Sequence, residues 1–382
     1  MIHDDLGSGL AGIALHEMVV ARARGDWRAA HAAAQAVTAL PLTGHPDEAG
    51  LYRGVPAVGY VLRVAGHPAY ARTLAELDDE TAAIAAARVA AGQRRMDRGR
   101  PARMAEYDLI SGVTGLGVYL LRSGQDAALE HVLDYLVRLL TEPVTAAGHR
   151  VPGWWAADAP SGVLEDGPFG AGHANFGLAH GVAGPLALLA LAGRSGHTVD
   201  GQQRALDEGI AFLVRWAQPR NGDGGAVGWP GPLPLNTFLQ GPAAGLPPSR
   251  PSWCYGTPGT GRALQLAALA RHNALARETA EHAVLGSLTD PRQLARLDDA
   301  TVCHGWAGLL LTCDRVAADA VSDGIARRLP RLRAQLDRHL VRHATPQNVG
   351  LLTGSAGVLL TLHTLSAPRP VQPGWEACLL LN

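Results

Sequence analysis

Lysine is absent from the chain: all 33 basic residues are arginine, and 34 acidic residues bring the formal charge to -1 at pH 7. With no basic stripe and no interleaved aromatics, nothing supplies the phosphate attraction that drives nucleic-acid binding, so nucleic acid is not expected as a partner. Cysteine is scarce as well. Four thiols in 382 residues cannot build a disulfide scaffold. The N-terminus MIHDDLGSGLAG lacks the basic region and apolar run of a secretory signal, which predicts a cytoplasmic protein. Long apolar runs are missing too: stretches such as 182–192 fall short of the ~20 residues that a membrane span needs. Aromatic residues make up only 5% of the chain and charged ones 18%, against 47% hydrophobic, so its helices must be packed largely by Ala and Leu. A closed ring of helices holds this length in one domain, and a single domain over residues 1–382 is expected.

Glycine, in contrast, is placed with a pattern. Seven times a Gly is followed three residues later by a small residue and then by an apolar run. The first glycines are Gly9, Gly54, Gly112, Gly181, Gly256, Gly305 and Gly354, and their partners are Gly12, Ala57, Gly115, Gly184, Gly259, Gly308 and Gly357. Between copies the apolar residues recur at helical spacing, as in Leu129, Val132, Leu133, Leu136 and Leu140, or Leu206, Ile210, Leu213 and Ala217. Each unit therefore reads as helix, Gly-turn, helix. Neither helix of a unit can bury its apolar face alone, so the units must stack, and seven of them predict an all-α fold, a seven-fold α/α toroid with an inner and an outer ring. Glycine at the turn is expected because a Cβ would penalise the torsions there, and the small partner because it lets inner helices approach.

In such a ring the residues just before each first Gly converge on one cavity. Those pairs are Gly7-Ser8, Tyr52-Arg53, Ile110-Ser111, Ala179-His180, Cys254-Tyr255, Cys303-His304 and Leu352-Thr353. Cys254 and Cys303 hold the same position of consecutive repeats, and His180 and His304 the next one. Two thiols and an imidazole are a zinc ligand set, and three protein ligands rather than four leave the open position of a catalytic site. Cys254, Cys303 and His304 are thus the candidate ligands of Zn2+. A buried Cys beside a core His is the plain alternative for the Cys303-His304 pair taken alone. Cys313 and Cys378 read as unliganded thiols.

The segments WCYGTPG around Cys254, CHGWAG around Cys303, ANFGLAHGVAG around His180, DLGSGLAG near the start and WEACLLL near the end resemble the signature motifs of the lanthionine synthetase C-like family. That resemblance covers nearly the whole chain. It implies a toroid with zinc at its centre and, for class I members, cyclisation of lantibiotic precursors: a peptide Cys adds to a dehydroalanine or dehydrobutyrine to give a lanthionine or methyllanthionine thioether. It also implies His180 as the acid that protonates the enolate, with Asp108 and Arg250 as a partnered acidic residue and arginine. Tyr255 either donates a hydrogen bond to the enolate or lines the wall. The implied partners are a dehydrated precursor peptide, a separate dehydratase and a transporter complex at which the cytoplasmic chain would be peripheral to the membrane. Two other readings stay open: addition of glutathione or another small thiol, and a non-catalytic peptide-binding toroid with structural zinc. Residues 93–106 leave little room for an inserted domain, and the Gly- and Pro-rich segments 152–172 and 219–251 are expected as loops over the cavity mouth.

Overall fold

A computed structural model describes residues 3–219, 227–242, 250–343, 346, 348–366 and 374–382. Among these residues thirteen long helices alternate between two rings. The inner ring comprises α1 (Leu10–Arg24), α3 (Val55–Ala65), α5 (Val113–Ser123), α7 (Ala183–Arg194), α9 (Thr257–Ala270), α11 (Trp306–Asp319) and α13 (Ser355–Ser366). The outer ring comprises α2 (Arg28–Thr38), α4 (Ala71–Asp97), α6 (Asp126–Thr141), α8 (Gln202–Trp216), α10 (Ala274–Thr289) and α12 (Leu329–Arg342). Each inner helix packs on the next, and α13 packs back on α1, which closes the toroid.

Sequence and position agree. Inner helices meet neighbours on every side, and α3 and α9 are accordingly buried around most of their circumference. Outer helices bury one stripe: α12 buries Leu332 and Leu336 and leaves its arginines in solvent.

The turn glycines serve a different purpose from the one expected. Gly54 takes a positive φ of 76°, but Gly9, Gly112, Gly256 and Gly305 have φ between -95° and -106°, open to any residue. What excludes a side chain is contact. A Cβ on Gly112 would lie 2.3 Å from the backbone nitrogen of Asp108, and one on Gly305 2.4 Å from that of Thr301. Five of the six partner glycines make room for a carbonyl of their own turn, and Gly12 for the backbone of Gly350 and Leu351 in the adjoining repeat: a Cβ on Gly259 would sit 1.9 Å from the Trp253 oxygen, and one on Gly308 1.8 Å from the Val302 oxygen. Each turn folds back over the first coil of its helix.

Backbone hydrogen bonds join the turns in a wreath. Leu109 N–H donates to Ala179 C=O (3.0 Å), Ala179 to Cys254 (3.2 Å), Cys254 to Cys303 (3.2 Å), Cys303 to Leu352 (2.9 Å) and Leu352 to Gly7 (2.8 Å), while Leu6 donates to Tyr52 (2.9 Å). Equivalent residues of successive repeats thus become neighbours.

The two predicted loops are more than solvent-exposed connections. Residues His173–Ala174 pair antiparallel with Leu233–Pro234, and the scarce aromatics gather beside this pair, with Trp154, Phe176, Phe212, Trp216 and Phe238 in mutual ring contact. Such ring contacts add about 0.5–1.5 kcal/mol each beyond burial. Of the expected loop 219–251, residues 220–226 and 243–249 lie outside the described residues.

Candidate metal centre

The wreath explains why two cysteines 49 positions apart meet. Cys254 and Cys303 hold equivalent places on turns that share a backbone hydrogen bond, and His304 follows directly. One ligand atom from each of the three lies within 4.8 Å of the others. A four-coordinate zinc ion with ligand bonds of about 2.0–2.3 Å draws its ligand atoms to similar separations, and the donor set is the soft one zinc takes. These residues fit the ion. Among the described residues no other trio of Cys, His, Asp or Glu gathers this closely, and no fourth such ligand atom joins this one.

The electrostatics favour the ligand form at Cys254 alone, and Cys303 and His304 must each give up a proton to a binding metal. Hydrogen bonding from Cys303 holds the Cys254 thiol well below the usual range against the penalty of burial, and His304 assists. The Cys254 sulfur in turn pushes the Cys303 thiol up. Ser252 Oγ lies 3.6 Å from the Cys254 sulfur.

His304 is held from its far side. Its Nε2 is 3.1 Å from Asp299 Oδ2, and that bond, with a smaller contribution from Cys254, raises the imidazole pKa to about 9. Burial works against ionisation of Asp299, but the bonds from His304 and Thr301 outweigh it and bring the carboxyl to about 2. Sequence reasoning missed Asp299. The available signal was its place six residues before Gly305, where Asn175 stands before Gly181.

His180 and Asp108 are brought together across the joint between the third and fourth turns. His180 Nδ1 lies 2.6 Å from Asp108 Oδ2, with Asp108 buried and the His180 side chain 31% exposed. The other Asp108 oxygen accepts the backbone N–H groups of Ser111 (2.7 Å) and Gly112 (2.8 Å). Burial lowers the affinity of His180 for a proton, yet the bond and charge of Asp108 more than offset it, so its pKa is raised. Tyr255 stacks on the His180 ring with centroids 5.7 Å apart, and its phenol is pushed up by burial.

The expected pair of Asp108 with Arg250 is not formed. Arg250 stands six residues ahead of its turn glycine and reaches outward to Asp298 Oδ1 at 3.2 Å, whereas Asp108 is turned inward to His180. Arg250 still lines the cavity of about 400 Å3 at the Cys254 sulfur, together with Ser252, Tyr255 and Arg296. Cys313 and Cys378 are buried away from the centre, and the Cys378 thiol donates to the Trp375 carbonyl at 2.9 Å.

A closed α/α toroid with two thiols and an imidazole on adjacent helix-opening turns defines a narrow class of protein. A family model described as lanthionine synthetase C-like protein matches residues 1–380, and the chain belongs to that family. It is similar to the nisin biosynthesis protein NisC of Lactococcus lactis subsp. lactis, at 22% identity over 258 residues, which is 67% of this chain and 60% of that protein. A solved structure of nisin cyclase superposes with a TM-score of 0.77 at 20% identity, covering 100% of this chain and 92% of the other. It has the same toroid fold. No helix among the described residues is long and apolar enough to cross a membrane.

Proposed function

We propose that the chain is a zinc-dependent lanthipeptide cyclase that adds peptide Cys thiols to dehydroalanine or dehydrobutyrine in the same peptide. The reading rests above all on one juxtaposition: the Cys254, Cys303 and His304 ligand atoms lie within 4.8 Å of one another, with the hydrogen-bonded His180 beside them through its stack on Tyr255. When bound by Cys254, Cys303 and His304, a zinc ion supplies the Lewis acidity that keeps an incoming thiol deprotonated near neutral pH, although its free pKa is about 8.5.

The residues of the chain account for the rest. The substrate sulfur bonds to Cβ of the dehydro residue, the double-bond electrons move toward Cα and the adjoining carbonyl, and the thiol proton leaves to solvent. The resulting enolate takes a proton at Cα. With its Nδ1 engaged by Asp108, His180 presents Nε2 to deliver that proton, and its raised pKa keeps the ring protonated at the operating pH. Tyr255 on the cavity wall stabilises the negative charge that develops on the carbonyl oxygen. The alkene must come from a dehydration reaction upstream, so a dehydratase activity precedes this step, and a transporter complex would take the product.

A mass assay with a thiol-capping reagent on a dehydrated peptide tests the reading. The zinc-loaded chain should protect Cys thiols from capping without a change in peptide mass, and His180→Asn should keep zinc and lose at least about 100-fold in rate. Turnover of free glutathione with no precursor peptide, or peptide binding without turnover in the zinc-loaded wild type, would overturn it.

A further inference from the structure

We propose that Asp299 is a positioning residue that fixes the ring of His304 and leaves Nδ1 as its metal-binding atom, an inference that deepens the reading of the metal centre above and rests on it. Three contacts hold Asp299 in place. Its carbonyl accepts the N–H of Trp306, the first residue of α11, at 3.1 Å. Its Oδ1 accepts the N–H of Thr301 at 2.6 Å. The same oxygen also lies over the face of Gly305, only 2.1 Å from where a Cβ would be. Oδ2 is left with one direction, toward His304 Nε2 at 3.1 Å. Carboxylate oxygens accept and do not donate, so Nε2 must carry the hydrogen. Once the second proton is lost to a binding metal, the lone pair of the neutral ring is on Nδ1, the atom that remains for the ion.

The fourth repeat provides an internal comparison. Asn175, also six residues before its turn glycine, uses Oδ1 to accept the N–H of Gly177 two residues on, at 3.0 Å. Closing the turn therefore requires only the first oxygen of an Asx side chain. At position 299 the carboxylate adds a second acceptor, and that acceptor meets a candidate ligand. Asp299→Asn thus keeps the turn-closing oxygen while presenting an amide donor to an imidazole N–H, which cannot bond to it.

The test uses the full chain and zinc affinity measured by competition with a chromogenic chelator. Asp299→Asn should bind zinc about 10–100-fold more weakly than wild type. Metal-free protein should keep its thermal midpoint. In the cobalt-substituted protein the thiolate charge-transfer absorption should remain while the ligand-field bands shift. Should Asp299→Asn fail to fold, Asp299→Ser closes the turn through its hydroxyl and should show the same weakening. Unchanged affinity and unchanged cobalt bands in either folded variant would overturn the proposal. So would a weakening matched by an equal loss of metal-free stability, which would mark Asp299 as a turn residue only. A wild-type chain that binds no zinc would instead overturn the reading of the centre itself.

Discussion

One carboxylate, that of Asp108, has two separable jobs. Its Oδ1 holds the turn through two backbone N–H groups, and its Oδ2 holds His180. Because Asp108 raises the His180 pKa, the ion pair stabilises the fold fully below the ordinary imidazole value of about 6.5 and ceases to do so as pH rises through the raised value. Asp108→Asn should keep the turn but bring the alkaline limb of kcat/KM to lower pH, measured as a pH-rate profile from roughly pH 6 to 10. A limb that stays in place would show that Asp108 does not set the acid. Cys303→Ala should reduce zinc from one ion per chain to a small fraction by metal analysis, since two protein ligands remain. Cys313→Ala should keep the metal and lose only about 1 kcal/mol of stability. At this scale the sequence was legible wherever alignment on the turn glycines sufficed, as for Cys254, Cys303 and His304. It was not legible wherever the partner depends on side-chain direction. Position alone did not say that Arg250 turns outward to Asp298, that Asp108 turns inward to His180, or that Asp299 backs His304.

Helices were legible from their apolar spacing, and so were the turns between them. The reason for glycine was not, because it lies in a contact rather than in a torsion, and contacts appear only once the turn is folded. The distinction has a measurable consequence. Gly308→Ala puts a Cβ 1.8 Å from the rigid Val302 carbonyl, so the turn beside Cys303 must open, at a cost of about 3 kcal/mol or more. Gly124, at the far end of α5, has φ of 73° and nothing within 4 Å of an added Cβ. Gly124→Ala should therefore cost only the left-handed backbone penalty of about 1–2 kcal/mol. Denaturant unfolding of both variants ranks the two effects. If Gly124→Ala proves the more damaging, torsion rather than contact governs these glycines. The second repeat departs from the others in a consistent way: its opening glycine, Gly54, does take a positive φ, and Ala57 stands where five of the remaining turns pack glycine against a carbonyl of their own.

Closure of the ring creates an axis, and residues 374–382 lie along it. The WEACLLL motif was legible, but its place was not, because that place exists only after α13 has met α1. Residues from three inner helices and two turns hold the terminus. Tyr52 and Tyr60 hydroxyls donate to the carbonyls of Cys378 and Gly374 at 2.7 and 2.9 Å, Trp253 Nε1 to that of Leu379 at 3.0 Å, and Arg262 Nε and Nη2 to that of Leu381 at 3.0 and 2.8 Å. Arg315 pairs with the fully buried Glu376. These donors belong to the third, ninth and eleventh helices and to the turns that open beside them, so the segment ties together repeats far apart in sequence. Removing it would leave a guanidinium, Arg262, buried without two of its hydrogen bonds, although burial already lowers its pKa to about 10. Glu376→Ala should accordingly cost about 1.5–3 kcal/mol, since Arg315 loses one charged partner and keeps the other, Asp314 Oδ2 at 3.3 Å. A chain ending at residue 373 should lose cooperative unfolding and zinc retention together, because the turns that carry Cys254 and Cys303 are linked to one another and Trp253, beside the first of them, is held by the tail. Calorimetry and metal analysis on the same preparation test this directly. If the truncated chain unfolds cooperatively near the wild-type midpoint and keeps one zinc, the wreath of turns alone holds the ring closed and the axial segment is dispensable to it.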